Sequence, residues 1–275
     1  MMRRDDDYGI TVTRTPPFRR RRYRDDRSRD EMPEPQERPG AGRDGHAAWE
    51  SRTRVVLTPI AAPSILGLFG FMGATLIVAA NMAGWYGTST TSPLFLFPFA
   101  LTFGGIAQLL AAMWSYKARD GLATAVHGTW GSFWIGYGIL YAFGAAGAFA
   151  IPANKFPELG FWFIVLASIT WVAAAAAAFE NLGLFSVLLT LAAGSTLAAI
   201  GLMTGTLGVT RAAGWVLAFS AFFAWYTASA MMLEGMFRRV VLPLGKWKVA
   251  ANVPGHTMLD PIEYPDGMPG VRAGQ

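Results

Sequence analysis

The polar side chains of this chain that could do chemistry are neutral and sit within long apolar segments. In hydrocarbon, hydroxyl and amide groups need partners on another segment or in a hydrated path. Hydrogen bonding between helices is the ordinary explanation for a single Thr or Ser. Gln108 is more costly to bury, because its amide brings both donors and an acceptor. The candidates for a polar path are Thr75, Asn81, Gln108, Thr129 and Tyr226.

The same segments lack the residue patterns of catalytic and metal sites. They hold no carboxylate pair, no Ser-His-Asp set and no His, Asp and Glu cluster with ligand spacing. Glu180 and Glu234 stand at segment ends. We expect His127, about one turn into its segment, to be an interfacial histidine, with a proton carrier as the alternative. The chain has no Cys, which excludes disulfides and thiolate metal sites. The expectation is therefore a protein that is not an enzyme and holds no cofactor or metal.

The segments that hold these groups are long enough to cross a bilayer. Val55–Tyr116 contains no Asp, Glu, Lys or Arg, and further charge-free runs span 121–154, 159–179, 181–210 and 212–233. A helical crossing needs about 20 apolar residues, and none of the runs alternates as a lipid-facing β-strand does. Turn residues at 87–93 divide the first run. The sequence predicts an all-α membrane protein with six transmembrane helices, at about 64–86, 93–116, 122–149, 159–179, 182–207 and 212–236.

Basic residues outside these segments predict the orientation. Lys and Arg concentrate in residues 1–54, in the loop at 117–121 and after the last helix, whereas the opposite loops carry only Lys155 and Arg211. Because basic loops stay in the cytoplasm, we expect both termini there, with the plasma membrane as the location. The chain then divides into a disordered Arg- and Asp-rich cytoplasmic tail (1–54), a six-helix transmembrane domain (55–245) and an irregular cytoplasmic tail (246–275).

The charge of the first tail has three interpretations. The chain's net charge is +5, and the run Phe18–Arg24 is almost entirely Arg flanked by aromatics. The expectation is a solvated tail that sets topology, partly neutralised by Asp25, Asp26 and Asp30. Contact with anionic lipid headgroups is an alternative. Nucleic-acid binding, which a basic run with aromatics permits, is not expected, because the concentration of basic residues on the cytoplasmic side already explains the charge.

Several sequence pieces resemble one membrane-protein family. Phe103-Gly-Gly-Ile-Ala-Gln-Leu-Leu-Ala111 with Tyr116-Lys117, and Thr129-Trp-Gly-Ser-Phe-Trp134, resemble the second- and third-helix segments of the acetate uptake transporters, the GPR1/FUN34/YaaH group. Gly214-Trp215, Trp225-Tyr226 and Arg239-Val-Val-Leu-Pro-Leu-Gly245 are similar to its last helix and exit. The family's NPAPLGL hallmark is matched only in part by Ala62-Pro-Ser-Ile-Leu-Gly-Leu68, which lacks the Asn and the second Pro. The resemblance covers about residues 62–245.

The resemblance implies a transporter or channel for acetate and related small mono- or dicarboxylates. Similar proteins form homo-oligomers, hexamers of six-helix protomers, and each protomer has a path with a narrow constriction of Phe, Tyr and Leu. By position these correspond to Phe71, Trp130 and Leu191, so that an indole replaces a phenol. We expect the polar candidates named above to bond the solute along the path.

Proton coupling and two other functions stay open from the sequence. The proton could travel on the substrate, whose acid group titrates near the ~4.3 of a Glu side chain, or on His127. An ammonia or ammonium conduit is one alternative function. A membrane scaffold that transports nothing is the other.

Overall fold

Six helices make up most of the chain that the structure describes. In this computed structural model the described residues are 60–88 and 91–247, so the predictions for the two tails lie almost wholly outside them. Among these residues there is no strand, and the isolated antiparallel bridge there joins Asn181 to Lys246. The helices are α1 (Ser64–Ala83), α2 (Ser92–Ala118), α3 (Gly121–Ala145), α4 (Pro157–Ala177), α5 (Leu182–Thr204) and α6 (Leu207–Phe237).

Five of these helices are suited to cross a membrane by length and composition: α1, α2, α4, α5 and α6. Helix α3 is long enough at 25 residues but is not one of the five, since its Trp, Tyr, Thr, Gly and His residues lower its hydropathy. The expected all-α membrane fold is confirmed. A sixth crossing by α3 stays a prediction.

Short polar residues and left-handed glycines set the helix ends. Asp120 begins α3 by accepting the N–H of Ala123 at 2.9 Å, and Asn181 begins α5 by accepting that of Leu184 at 2.8 Å. Gly84 at φ 83° ends α1, and Gly205 at φ 76° ends α5, a backbone conformation that favours glycine. Both helices therefore stop about one turn before the ends that hydropathy predicts, because apolar residues continue into the turns.

Helix α2 contains a wide turn that its hydropathy does not predict. Residues Ala100–Ala107 are π-helical, between α-helical Ser92–Phe99 and Gln108–Ala118. Pro98 lacks the N–H that a regular α-helix needs there. π-helical turns inside α-helices are frequent at functional sites. Here the turn ends directly before Gln108, which begins the regular helix that follows.

The helices pack in cyclic order. Each contacts its successor in the chain, and α6 returns to contact α1, while the contact between α3 and α4 is the smallest of the series. The six therefore enclose a common interior. Gly214 allows the α1–α6 contact, since a Cβ there would lie 2.3 Å from the backbone nitrogen of Ala83.

The segment after α6 closes back onto the start of α5. Leu182 donates its N–H to Gly245 O at 3.1 Å, and Gly183 donates to Leu244 O at 2.9 Å. Tyr226 of α6 fixes the same segment, because its hydroxyl donates to Pro243 O at 2.8 Å. These bonds hold Leu244 and Lys246 at the end of the ring where α5 begins.

Candidate functional site

A cavity of about 330 Å³ opens at the end of the ring where α1, α3 and α5 begin. Gln108 lies in its wall with no exposed surface, and we call it the Gln108 cavity. Most of its lining is apolar, from side chains of α1, α3, α5 and α6. Its main lining residues besides Gln108 are Leu68, Phe71, Val126, His127, Leu188 and Leu191.

Gln108 and His127 form a buried polar pair in this cavity. Gln108 Nε2 lies 3.4 Å from His127 Nδ1, and Gln108 Oε1 has no hydrogen-bond partner in the described part of the chain. His127 is 3% exposed, so it is buried where the sequence favoured an interfacial position. Its ring lies against Gly67, where an added Cβ would be 2.5–2.6 Å from three ring atoms. A glycine at this position makes the room for the imidazole.

The mouth of the Gln108 cavity is mainly acidic among the described lining residues. Asp120, Glu180 and Glu234 line it together with Lys246. Lys246 Nζ lies 3.1 and 3.3 Å from the two carboxylate oxygens of Glu234. Within the described part of the chain, three carboxylates and one ammonium group line this mouth. No group of three His, Cys, Asp or Glu within residues 60–88 and 91–247 is arranged to hold a metal ion.

Three buried apolar side chains stand at the inner end of this cavity. Phe71, Trp130 and Leu191 are 2%, 2% and 1% exposed and belong to one buried cluster. Phe71 and Leu191 line the Gln108 cavity, and the Trp130 ring meets the Phe71 ring edge-on with centroids 6.0 Å apart. On its other side Trp130 contacts Phe133, at 5.5 Å between centroids. Phe133 lines a second cavity.

This second cavity, of about 300 Å³, opens at the opposite end of the ring, where α2, α4 and α6 begin. We call it the Asn81 cavity. Asn81 lines it and donates from Nδ2 to Tyr86 O at 2.9 Å and Thr88 O at 3.3 Å. Arg211, exposed at the start of α6, is the charged residue among its described lining. The described linings of the two cavities thus differ in charge, mainly acidic at one end and basic at the other.

The remaining polar candidates lie away from both cavities. Thr75 is 3% exposed, and its Oγ1 has no partner among the described residues. Thr129 lines a third cavity of about 650 Å³ between α3 and α4. Tyr226 is bonded to the exit segment, as given above. The structure therefore brings Gln108 together with Phe71 and Leu191, and places Thr129 and Tyr226 elsewhere.

Several polar groups bond within their own helix where bonds between helices were the ordinary expectation. Thr102 donates to Pro98 O at 2.8 Å and Thr190 to Ser186 O at 2.7 Å, each one turn back. Bonds between helices do occur through indoles: Trp130 Nε1 donates to Thr170 Oγ1 at 3.1 Å. Thr170 and Arg211 were missed as site residues. The sequence does not show that Thr170 accepts a hydrogen bond from an indole on another helix. Arg211 has the sequence pattern of an ordinary basic residue in a loop.

Residues 49–245 match the GPR1/FUN34/yaaH family. The chain belongs to this family. It is therefore an integral membrane protein of a family that contains transporters, as the resemblance in its helices indicated.

Relatives within and beyond bacteria are similar to this chain over more than half of its length. The chain is 30% identical over 173 residues to Ammonia transport outward protein 2 of Saccharomyces cerevisiae, covering 62% of this chain and 61% of that protein. It is 26% identical over 191 residues to the succinate-acetate/proton symporter SatP of Escherichia coli, covering 69% and 97%. It is 28% identical over 198 residues to the acetate transporter protein patA of Aspergillus clavatus, covering 68% and 79%.

A solved structure has the same fold. The bacterial acetate channel SatP matches with a TM-score of 0.62 at 25% sequence identity, over 68% of this chain and 100% of that chain. The matched part is thus the entire length of the solved channel. The helical ring described above thus has the fold of that channel.

Proposed function

We propose that this chain is a membrane transporter or channel for acetate and related small carboxylates. The observation that carries the proposal is the pair of cavities at opposite ends of one helical ring, with Phe71, Trp130 and Leu191 buried between them. The solute passes from the Asn81 cavity through these three side chains to the Gln108 cavity. Membership of the family, and relatives named for acetate, support this choice of substrate.

The three apolar side chains act as a constriction that selects by size. A solute that passes between two aromatic rings and a leucine exchanges hydration water for apolar contacts. The free-energy cost of losing hydration water is small enough for a solute with two or three carbons and one acid group. The cost is higher for a solute with several charges, and a larger solute does not fit between the rings. Trp130 keeps its N–H bonded to Thr170, so the surface it offers the solute is apolar. The solute binds weakly and passes quickly, because conduction requires a site that releases its solute readily.

Polar groups on either side receive the solute. Gln108 binds it in one cavity. In the other, Asn81 Nδ2 donates to Tyr86 O and Thr88 O, so Asn81 Oδ1 is the atom that can accept from the O–H of a protonated acid. Thr75 lies one turn beyond Phe71 on α1, between those two levels. Thr129 and Tyr226 line neither cavity and are left out of the path. With both termini cytoplasmic, the Asn81 cavity opens outside, where Arg211 attracts carboxylates over roughly the ~8 Å Debye length at physiological salt.

The protein works as a homo-oligomer in the plasma membrane, a hexamer with one path in each protomer. Resemblance to the family supports the oligomer. Transport is coupled to protons, as the name of the relative SatP suggests for that protein.

Ammonium conduction is the second candidate. The yeast relative named for ammonia transport supports it, as do the three carboxylates at the mouth of the Gln108 cavity, which attract cations. Flux of methylammonium separates the two candidates, because an acetate path with an apolar constriction does not conduct it.

Counterflow in vesicles tests the proposal. Purified protein is reconstituted, vesicles are loaded with unlabelled acetate, and entry of labelled acetate is followed against protein-free vesicles of the same lipid. Succinate, lactate and methylammonium are added as competitors. We expect acetate entry above the lipid background, reduced by lactate and unaffected by methylammonium. Entry equal to that in protein-free lipid contradicts the proposal.

A further inference from the structure

A groove of about 500 Å³ runs along the outside of the ring between α1 and α6, and we call it the α1–α6 groove. Its described lining consists of aromatic, aliphatic and Met side chains. Among the described residues it shares no lining residue with the Gln108 cavity or the Asn81 cavity. Phe219, Phe222 and Trp225 in this lining are about half exposed. The groove therefore faces what surrounds the ring and not the path inside it.

One face of α6 joins this groove to a positive charge. Arg211, Trp215, Ala218, Phe222 and Trp225 follow one another at intervals of four, three, four and three residues. Residues at these intervals lie on the same side of a helix. The last four of them line the groove, so Arg211 lies one turn beyond its Trp215 end.

Two indoles and a guanidinium group lie together at that end of the groove. The rings of Trp85 and Trp215 meet edge-on with centroids 4.9 Å apart, and each side chain is about half exposed. Trp is enriched where a membrane meets water. Arg211 packs beside the residue before Trp85, since a Cβ on Gly84 would lie 3.6 Å from Arg211 Nε. No carboxylate of the described residues pairs with Arg211, so its charge is available to an anion from outside the chain.

The dimensions of the groove match one leaflet of a bilayer. An α-helix rises ~1.5 Å per residue, so Trp215 and Trp225 are about 15 Å apart along α6. That length is half of the ~30 Å hydrocarbon core. By the same rise Arg211 lies about 6 Å beyond Trp215, which is within the layer of polar headgroups. A phospholipid joins an apolar chain to a phosphate group at this spacing, and a guanidinium group matches the geometry of a phosphate.

We propose that the α1–α6 groove is a binding site for an anionic phospholipid, with one acyl chain in the groove and the phosphate group on Arg211. A zwitterionic headgroup fits less well, because its own ammonium group competes with Arg211 for the phosphate. Arg211 also lines the Asn81 cavity, and its five N–H donors are enough to serve both sides. In the orientation proposed above, the lipid belongs to the outer leaflet. This site goes beyond the proposed function, because it lies outside the ring and needs no transported solute.

Thermal melting of the purified full chain in detergent tests the site. Phosphatidylglycerol is the anionic probe, and phosphatidylcholine with the same acyl chains is the zwitterionic comparison. We expect phosphatidylglycerol to raise the melting temperature by several degrees more than phosphatidylcholine does. Equal shifts for the two lipids overturn the inference. Because no transport is measured, the proposed function stands or falls separately.

Charge variants locate the headgroup. R211Q should remove most of the difference between the two lipids, whereas R211K retains the charge and should keep part of it. The matched control is R238Q, since Arg238 is exposed and follows the opposite end of the same helix. R238Q should leave the difference unchanged. An equal loss in R211Q and R238Q overturns the inference, because it shows a general attraction between anionic lipid and a basic protein.

A substitution that fills the groove locates the acyl chain. Ala218 lines the groove and is 7% exposed, so the longer side chain of A218L takes the space of the lipid. A218L should lose the stabilisation by phosphatidylglycerol. A175L, the same change at an exposed position of α4, should keep it. Stabilisation that survives in folded A218L overturns the inference. So does a lower oligomeric mass of A218L in light scattering with the lipid shift intact, which assigns the groove to a second copy of the chain.

Chain length tests the same point on the unmodified protein. Dihexanoyl phosphatidylglycerol has the same headgroup as the dipalmitoyl lipid, but its chains are too short to fill a groove about 15 Å long. We expect it to stabilise the protein much less at equal concentration. Equal stabilisation by the two lipids overturns the assignment of the groove to an acyl chain, and this comparison decides alone if A218L does not fold.

Discussion

Trp130 Nε1 donates a hydrogen bond to Thr170 Oγ1 across 3.1 Å, which ties α3 to α4 where these two helices make few other contacts. Thr170 passes the bond on to Leu166 O at 2.6 Å on its own helix. The indole N–H therefore already has an acceptor within the protein and is not available to a solute. What distinguishes this constriction from one with a tyrosine is the extra ring area and not an extra donor toward the solute.

The first prediction concerns this bond. T170V leaves the buried indole N–H without an acceptor, which costs about 1–3 kcal/mol, so we expect a lower melting temperature in detergent. T196V is the matched control: it breaks the bond from Trp171 Nε1 to Thr196 Oγ1, 3.2 Å long, beside an indole that is 45% exposed. Its effect should be smaller. Equal shifts for the two variants would contradict the role of burial.

The second prediction concerns the width of the constriction. W130A removes the largest of the three side chains between the cavities, so larger acids should pass. We expect the ratio of butyrate to acetate counterflow to rise several-fold. W114A, which truncates an indole that is 52% exposed and lines none of the described cavities, is the control and should keep the original ratio. An unchanged ratio in folded W130A would remove Trp130 from the constriction.

The helices of this fold were predictable because apolar composition is a local property. Long uncharged runs identify membrane segments whatever their neighbours are. The ends missed by about one turn are those of α1, α3 and α5, where left-handed Gly84, Gly147 and Gly205 interrupt apolar sequence. The π-helical turn was not predictable in the same way. Pro98 marks a disturbance in α2, but hydropathy does not say how the backbone accommodates it.

In the candidate site, too, local features could be predicted from the sequence and contacts between helices could not. Gln108 could be singled out by its cost of burial, and the structure places it in a cavity wall. The burial of His127 could not be predicted from the sequence, because it depends on Gly67 of another helix, which leaves room for the ring. Tyr226 shows the converse: a polar residue in an apolar helix signals a partner, and here that partner is the backbone oxygen of Pro243 and not a solute. Contacts between helices decide such cases, and a single sequence does not contain them.

The third prediction follows from the close approach of Gly67. G67A places a methyl group 2.5 Å from the His127 ring, which forces the imidazole away from its seat and disturbs the Gln108 amide. We expect acetate counterflow to fall several-fold. The double variant G67A/H127A, which removes the clash, should recover part of the stability that G67A loses.

The control for this prediction is G136A. An added Cβ at Gly136 meets nothing within 4 Å, so this substitution tests the general effect of Gly→Ala in a helix and should leave flux unchanged. If G67A also has unchanged flux and stability, the ring is not held where the structure has it.

The fourth prediction concerns the opposite end of the ring. Arg211 is the charged residue among the described lining of the Asn81 cavity, and its guanidinium raises the local concentration of carboxylates there. R211Q should raise the acetate concentration needed for half-maximal counterflow from that side by a few-fold, with little change in the maximal rate. Because exposed charges are screened by salt, the difference from the unmodified protein should shrink as ionic strength rises. R211K retains the charge and is expected to restore most of the affinity. A salt-independent loss shared by R211Q and R211K would show that the residue acts through packing against α1 near Gly84, whose added Cβ would lie 3.6 Å from Arg211 Nε, and not through its charge.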